Sequence, residues 1–247
     1  GRELPVYQEE AVTAVILAAG EGRRLQPLVH SVPKPMAIVC HKPVLEYTLE
    51  WMAKLGITNI IITVGYLREA IMNHFNDGRK WGVAIEYSID NEPMGTAGSL
   101  KKAVAKRPQG PFAVWHGDNF STCNLTRMMK HHHMNRAAAT IAVCWRHDVT
   151  HSGVIEWTQE TRITYFEEKP QRRAPGGWVS AGMYILDPSV LEDIPDGPCD
   201  FGKDVFPKMI LKGYPLHAYG LSCDELFRWY DTPEELIALR RDFEVVV

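Results

Sequence analysis

The run Thr13-Ala14-Val15-Ile16-Leu17-Ala18-Ala19 empties directly into Gly20-Glu21-Gly22-Arg23-Arg24-Leu25-Gln26-Pro27, and Pro33-Lys34-Pro35 follows a few residues later. A short apolar run with β-branched residues that gives way to small residues and glycines reads as a buried strand ending in a backbone loop. Similar runs recur through the first half. Asn59–Val64, Val83–Ile89, Phe112–Trp115 and Thr140–Trp145 read as strands, separated by helical patterns near Val44–Leu55, Leu67–Phe75, Ala97–Ala105 and Leu125–Asn135. That alternation predicts an α/β fold with a mostly parallel sheet covered by helices on both faces. Ligands of such sheets lie beyond the carboxyl ends of the strands, where the glycine loop and Asp118 both fall.

After Asp148 the rhythm changes. Gly153–Trp157, Arg162–Glu168 and Val179–Leu186 are short, turn-bounded runs that suggest a subsidiary mixed sheet. A helix near Gly202–Leu211, a strand at His217–Leu221 and a closing helix near Pro233–Phe243 are expected to follow. Residues 1–11 are read as an amino-terminal arm and residues 12–247 as one domain, with no internal repeat.

Composition narrows the partners. A formal net charge of −3 gives no global basic field, which argues against a nucleic-acid-binding surface. Five widely spaced cysteines without a Cys-x-x-Cys pair argue against a disulfide framework or a zinc site, and a reducing cytoplasm is the expected compartment. No stretch approaches the roughly 18 apolar residues of a membrane span. The sequence leaves the oligomeric state open, a homo-oligomer included.

The glycine segment suits a polyphosphate. Ala18, Ala19, Gly20 and Gly22 leave little side chain in the way of backbone N–H groups, and Arg24 and Lys34 add positive charge. Arg24 can hold two phosphate oxygens with its planar fork, whereas Lys34, set between prolines, is a point charge. The same residues could form an ordinary strand-to-helix turn with solvated arginines. The third glycine of a dinucleotide fingerprint and the Gly-Lys-Ser/Thr of a P-loop are both missing.

Taken whole, Leu-Ala-Ala-Gly-x-Gly-x-Arg-Leu-x-Pro followed by Pro-Lys-Pro resembles the signature of the sugar-1-phosphate nucleotidyltransferases. Further matches are Glu92-Pro93-Met94-Gly95-Thr96-Ala97-Gly98, Gly117-Asp118-Asn119, Glu168-Lys169-Pro170, Ser180-Ala181-Gly182-Met183-Tyr184 and Trp229-Tyr230-Asp231. Together they extend the resemblance from about Val12 to about Phe243. The family implies a Rossmann-like sheet with a small mixed-sheet sugar-binding subregion. Residues 12–148 would serve mainly the nucleotide and 149–247 mainly the sugar phosphate, with no carboxy-terminal β-helix. The reaction implied joins a nucleoside triphosphate and a sugar 1-phosphate, with Mg2+, in nucleotide-sugar and polysaccharide biosynthesis.

Residue by residue, the resemblance implies that Leu17, Ala18, Ala19, Gly20, Gly22, Arg23, Glu92, Gly95, Thr96, Ala97 and Gly117 bind the nucleotide. In the segment from Glu92 to Gly98 small residues would let backbone groups read the edge of the base. Arg24 and Lys34 would stabilise the triphosphate, and Asp118 and Asp231 would hold magnesium. Asn119, Gly153, Glu168, Lys169, Ser180, Ala181 and Gly182 would meet the sugar phosphate, with Lys169 on its phosphate. Local readings remain beside these. Asp118-Asn119 could be a turn, Asp231 the N-cap of the last helix, Glu168-Lys169 an exposed strand terminus, and Gly95-Thr96 a helix start.

Gly95-Thr96-Ala97-Gly98 after Glu92-Pro93 looks most like guanylyltransferases acting on mannose 1-phosphate and related sugars, which favours GTP and a hexose or heptose 1-phosphate. Gly117-Asp118-Asn119 looks more like thymidylyl enzymes, so thymidylyl, uridylyl and cytidylyl transfer stay open. Val29 stands where a Thr is common, and Ser180 where a sugar-contacting Asn is common. His131-His132-His133 looks like a metal cluster but falls in a helical pattern, where a solvated surface is expected. A non-catalytic nucleotide-sugar-binding regulator is the main competing class. A dinucleotide oxidoreductase would need an acidic residue where Gly65-Tyr66 ends the second strand.

Overall fold

In the computed structural model, residues 12–20, 22, 25, 31–105, 110–171 and 176–244 are described. The first strand, β1 (Thr13–Ala18), forms as its apolar run dictates and becomes a central strand. After it come the short pair β2 (Ile38–Val39) and β3 (Lys42–Pro43), then α1 (Val44–Lys54), β4 (Asn59–Val64), α2 (Arg68–Phe75), β5 (Ala84–Ile89), α3 (Gly95–Val104) and β6 (Phe112–His116). β1 pairs in parallel with β4 and β6, and β4 with β5. Alternate side chains of β1 enter two separate cores. Ala14, Ile16 and Ala18 pack with Leu45, Leu49 and Met52 of α1, whereas Val15 packs with Ala97, Leu100 and Val104 of α3. Burial on both faces is why the run carries no alternating polar residues.

The remaining elements are β7 (Asn119–Ser121), α4 (Leu125–Met134), β8 (Ala139–Arg146), β9 (Gly153–Trp157), β10 (Ile163–Glu168), β11 (Gly177–Leu186), α5 (Phe206–Leu211), β12 (Leu216–Gly220), β13 (Phe227–Trp229) and α6 (Pro233–Glu244). The strands expected to form a subsidiary sheet are hydrogen-bonded into the main one. The sheet has nine strands in the order β10-β9-β11-β6-β1-β4-β5, with β8 and β12 joined through β11. β11 is antiparallel to β6, β8 and β9, and its register breaks between Ser180 and Tyr184. The expected helix near Gly202–Leu211 opens instead as a π-type turn over Phe201–Val205 before α5 begins.

The histidine triplet is only partly solvated. Leu125, Met128 and His132 share the buried stripe of α4, and the His132 Nδ1 lies 3.0 Å from the Thr140 Oγ1 of β8. His131 lies beside the ring of His217, and His133 is exposed. Among the described residues no group of three or more His, Cys, Asp or Glu is placed to hold a metal, and no helix is long and apolar enough to cross a membrane.

Burial, reinforced by His133, His131 and His217, pushes the His132 imidazole down to about 4 from its usual 6.5, with Asp187 opposing. The unfolded chain therefore binds the extra proton first as pH falls. The stability that neutral His132 contributes is complete above 6.5 and is lost as pH drops toward about 4. The full shift corresponds to about 3 kcal/mol. Urea denaturation of His132→Gln at about pH 7 and about pH 4 should show a shallower acid loss than the parent. Identical losses would contradict this account.

Candidate active site

Four parallel strands end on one edge of the sheet, and the chain beyond each of them forms a wall of a cleft. Leu17, Ala18, Ala19 and Gly20 come from the end of β1, Gly65 follows β4, Asp90 follows β5, and His116 and Asp118 come from β6. They border a cavity of about 910 Å3, large enough for a nucleotide-sized ligand. A Cβ on Gly20 would meet nothing within 4 Å, so the loop there faces open space.

The cleft centres on one ammonium. Lys34 lies in a short 3-10 turn between Pro33 and Ala37. Its Nζ donates to Asp118 Oδ2 at 3.1 Å and to Asp231 Oδ1 at 2.5 Å, and it also lies 4.8 Å from the centroid of the Tyr230 ring. The Lys34 side chain is 5% exposed, that of Asp231 10%, and that of Asp118 45%. The Tyr230 hydroxyl donates to the carbonyl of Gly117, tying the two carboxylate-bearing segments together.

Asp231 is available for this pairing because it does not cap α6. The Thr232 and Glu235 side chains exchange the reciprocal bonds of a capping box: Glu235 N donates to Thr232 Oγ1, and Thr232 N to Glu235 Oε2. Asp231 N also donates to Glu235 Oε2, at 2.8 Å. The other oxygen of Glu235 accepts from Arg146, whose guanidinium stacks 4.1 Å over the Trp229 ring. The cap position is thus one residue later than the sequence alternative supposed.

A second cavity of about 240 Å3 opens on the far side of Asp118. Asn119, Gly153, Glu168, Lys169, Ser180 and Gly182 line it, together with Asp231. The backbone of Lys169 has φ +51 and donates to the Ser152 carbonyl, which turns its side chain out of the strand; Nζ stands 3.9 Å from Glu168 Oε1. Ala181 is fully buried, and its carbonyl accepts from Asn119.

The segment from Met94 to Gly98 packs on a second stretch of backbone. Ala97 N and Gly98 N both donate to the carbonyl of Cys199, and Thr96 N donates to Asp200 Oδ1. A Cβ at Gly95 would stand 2.5 Å from Cys199 O, and one at Gly98 2.5 Å from Gly197 O. These residues are small because another stretch of backbone packs on them. Gly95 and Thr96 still border the larger cavity, as does Glu92, but Ala97 and Gly117 do not.

Charge in the cleft is tuned by these neighbours. Burial acts to raise the Asp118 carboxyl, but the Lys34 ammonium, then His116, outweigh it and hold the group below its usual range. Burial lowers His116, with Asp118 opposing and Lys34 assisting; its Nε2 is buried without a partner among the described residues. Burial raises Glu168, against the pull of Lys169.

The structure therefore gathers Leu17, Ala18, Ala19, Gly20, Gly22, Lys34, Glu92, Gly95, Thr96 and Asp118 around one cavity, with Asn119, Gly153, Glu168, Lys169, Ser180 and Gly182 around its neighbour; Ala181 lines neither. Arg23, Arg24 and Val29 lie outside the described residues. Sequence reasoning passed over Asp90, His116, His151, Asp200 and Lys203, all of which line a cavity. Asp90 and His116 could have been found by their place at strand ends, whereas Asp200 carries no local signal.

Residues 13–237 match the family model described as nucleotidyl transferase. The chain is 35% identical over 233 residues to the UTP–glucose-1-phosphate uridylyltransferase of Synechocystis sp., a match covering 88% of this chain and 59% of that one. It is 31% identical over 227 residues to the mannose-1-phosphate guanylyltransferase of Mycobacterium tuberculosis, covering 92% and 63% respectively. The chain thus spans about six-tenths of the length of these relatives. The crystal structure of HddC from Yersinia pseudotuberculosis has the same fold, with a TM-score of 0.80 at 24% identity, covering 94% of this chain and 99% of that one.

Removing the central ammonium leaves two carboxylates without it. Lys34→Met should destabilise the fold by about 3–5 kcal/mol, and adding Asp231→Asn should restore part of that loss. Urea titrations of the single and double variants measure the coupling. Strictly additive losses would show that the contact has no energetic weight.

Proposed function

Because the chain belongs to the nucleotidyl transferase family, we propose that it condenses a nucleoside triphosphate, preferably GTP, with a hexose or heptose 1-phosphate. The products are a nucleotide sugar and pyrophosphate. The observation that carries this reading is the position of Lys34, Asp118 and Asp231 at the seam of two cavities, one sized for a nucleotide and one smaller.

An oxygen of the sugar phosphate attacks the α-phosphorus in line. The bond from that phosphorus to the oxygen bridging the β-phosphate breaks, and pyrophosphate leaves with the electron pair. The nucleophile is already an anion and needs no general base, so repulsion between oxyanions is the obstacle. At about 4 Å and an effective dielectric near 20, each pair of unit charges contributes roughly 4 kcal/mol. Positioning and charge compensation are then the main catalytic tasks. Lys34 and Arg24 stabilise the triphosphate and its leaving group, and Lys169 anchors the acceptor phosphate. Glu168, Asn119 and Ser180 offer hydrogen bonds to sugar hydroxyls.

The donor set fits Mg2+. Two carboxylates from distant parts of the chain already converge on one positive charge, and magnesium commonly takes only one or two carboxylates alongside phosphate oxygens and water. Asp118 and Asp231 would hold it. When bound it would neutralise charge on the reacting phosphates.

The preference for GTP draws support from Asp90. Its side chain is 2% exposed, borders the larger cavity, and already accepts from Ser99 and Lys102. A carboxylate only accepts hydrogen bonds and retains lone pairs for more. Guanine presents two adjacent donors, N1–H and the 2-amino group, whereas uracil and thymine present one donor flanked by acceptors.

Pyrophosphate release with Mg2+, each common triphosphate and a panel of sugar 1-phosphates tests the reading. GTP should give the fastest release and, at equal ligand concentrations, the largest thermal shift, a ligand at a hundred times its dissociation constant stabilising the fold by about 2.7 kcal/mol. Asp118→Asn should cut turnover by about a hundredfold or more, and Asp90→Asn should weaken GTP more than UTP. Binding without release under every combination would mark a non-catalytic binder. Stronger responses to UTP or dTTP would overturn the base while leaving the chemistry intact.

A further inference from the structure

The two cavities share four lining residues: Thr96, His116, Asp118 and Asp200. Asp118 and His116 are neighbours on the β6 side of the seam. Thr96 and Asp200 form its opposite side, and they are bonded to each other. Asp200 Oδ1 accepts from Thr96 N at 3.1 Å and from Thr96 Oγ1 at 3.3 Å, and the same hydroxyl accepts from Phe201 N at 2.9 Å. Backbone bonds between Cys199 and residues Met94, Ala97 and Gly98 extend this clasp. The turn bordering the nucleotide-sized cavity thus takes its position from residues 199–201.

Those residues also shape the floor of the smaller cavity. Asp200 Oδ2 lies 4.0 Å from Lys203 Nζ, and Asp200 N donates to the Asp204 carboxylate, which fixes the start of the π-type turn. Gly202, within that turn, packs against Glu168: a Cβ at 202 would collide with Glu168 Oε2. Contact therefore runs without a gap from Glu168 through Gly202 and Asp200 to Thr96. A ligand that shifts the Glu168 carboxylate presses on the turn that carries Asp200, and a ligand seated against Thr96 presses on the same turn from the other side. Tight packing favours transmission of such displacements.

We propose that Asp200 is a positioning residue through which occupancy of the sugar-phosphate cavity and the setting of the Met94–Gly98 turn are coupled, so that each substrate raises the affinity for the other. The inference rests on the assignment of the two cavities under Proposed function. The coupling is carried by the hydrogen bonds that Asp200 Oδ1 accepts, not by its charge. An amide oxygen in the same place preserves it, and a methyl group abolishes it.

Calorimetric titration separates this from a purely structural role. Non-hydrolysable analogues of GTP and UTP are titrated into the wild-type chain with Mg2+, alone and with saturating mannose 1-phosphate or glucose 1-phosphate, and the tightest pair is carried forward. The second ligand should tighten the first by about fivefold or more, within the usual range of coupling between sites. In Asp200→Ala the factor should fall to about one while each ligand still binds alone, and Asp200→Asn should retain the wild-type factor. Thr96→Val, which removes only the hydroxyl, should give an intermediate factor and supplies the measurement if Asp200→Ala does not fold. An unchanged factor in Asp200→Ala, loss in Asp200→Asn equal to that in Asp200→Ala, an unchanged factor in Thr96→Val, or the absence of coupling in the wild type would each overturn the proposal. Failure of the wild type to bind any of the four probes would overturn the cavity assignment itself, and this inference with it, before any variant is compared.

Discussion

The ion pairs made by one lysine hold the cleft in its observed form. Lys34 bonds Asp118 at the end of a central strand and Asp231 at the entry to the last helix, 197 residues away along the chain. An ammonium group that is 5% exposed would be costly to bury without such partners. Its partners in turn would repel each other without it. The pairing therefore ties the entry to α6 to the end of β6, while Leu236 and Leu239 of that helix pack with Val39, Val44 and Phe120.

Several supports keep that arrangement in register. The capping box of Thr232 and Glu235 satisfies the start of α6 without using the Asp231 carboxylate. The Tyr230 hydroxyl reaches the Gly117 carbonyl next to Asp118. On the opposite wall, main chain packs directly on main chain where Gly95 and Gly98 meet residues 197–199. Backbone contact of this kind leaves little room to adjust, so this wall holds its shape where the two cavities meet.

Much of the architecture was legible because local patterns and global burial agree. The apolar run at Thr13–Ala18 is buried from two sides by α1 and α3, and Asn59–Val64 and Gly153–Trp157 form strands over those same residues. Other features were not legible. His132 falls on the buried stripe set by Leu125 and Met128, but its partner Thr140 belongs to the next strand, so the triplet read as solvated surface. The strands after Asp148 read as a subsidiary mixed sheet, and their hydrogen bonding into the main one was not legible because nothing local states which neighbour each strand will pair with.

The sequence by itself determined the alternation of strands and helices, the small-residue loop after β1, and the charged residue types available to the cleft. These follow from periodicity and residue chemistry over short stretches of chain. Tertiary structure alone decided that Lys34 lies between Asp118 and Asp231, that Thr232 rather than Asp231 caps the last helix, and that Gly95 and Gly98 make way for Cys199 and its neighbours. The reason is physical: each of these outcomes depends on which distant segment fills the adjoining space, and hydrogen bonds and close packing between such segments have no signature in the local order of residues.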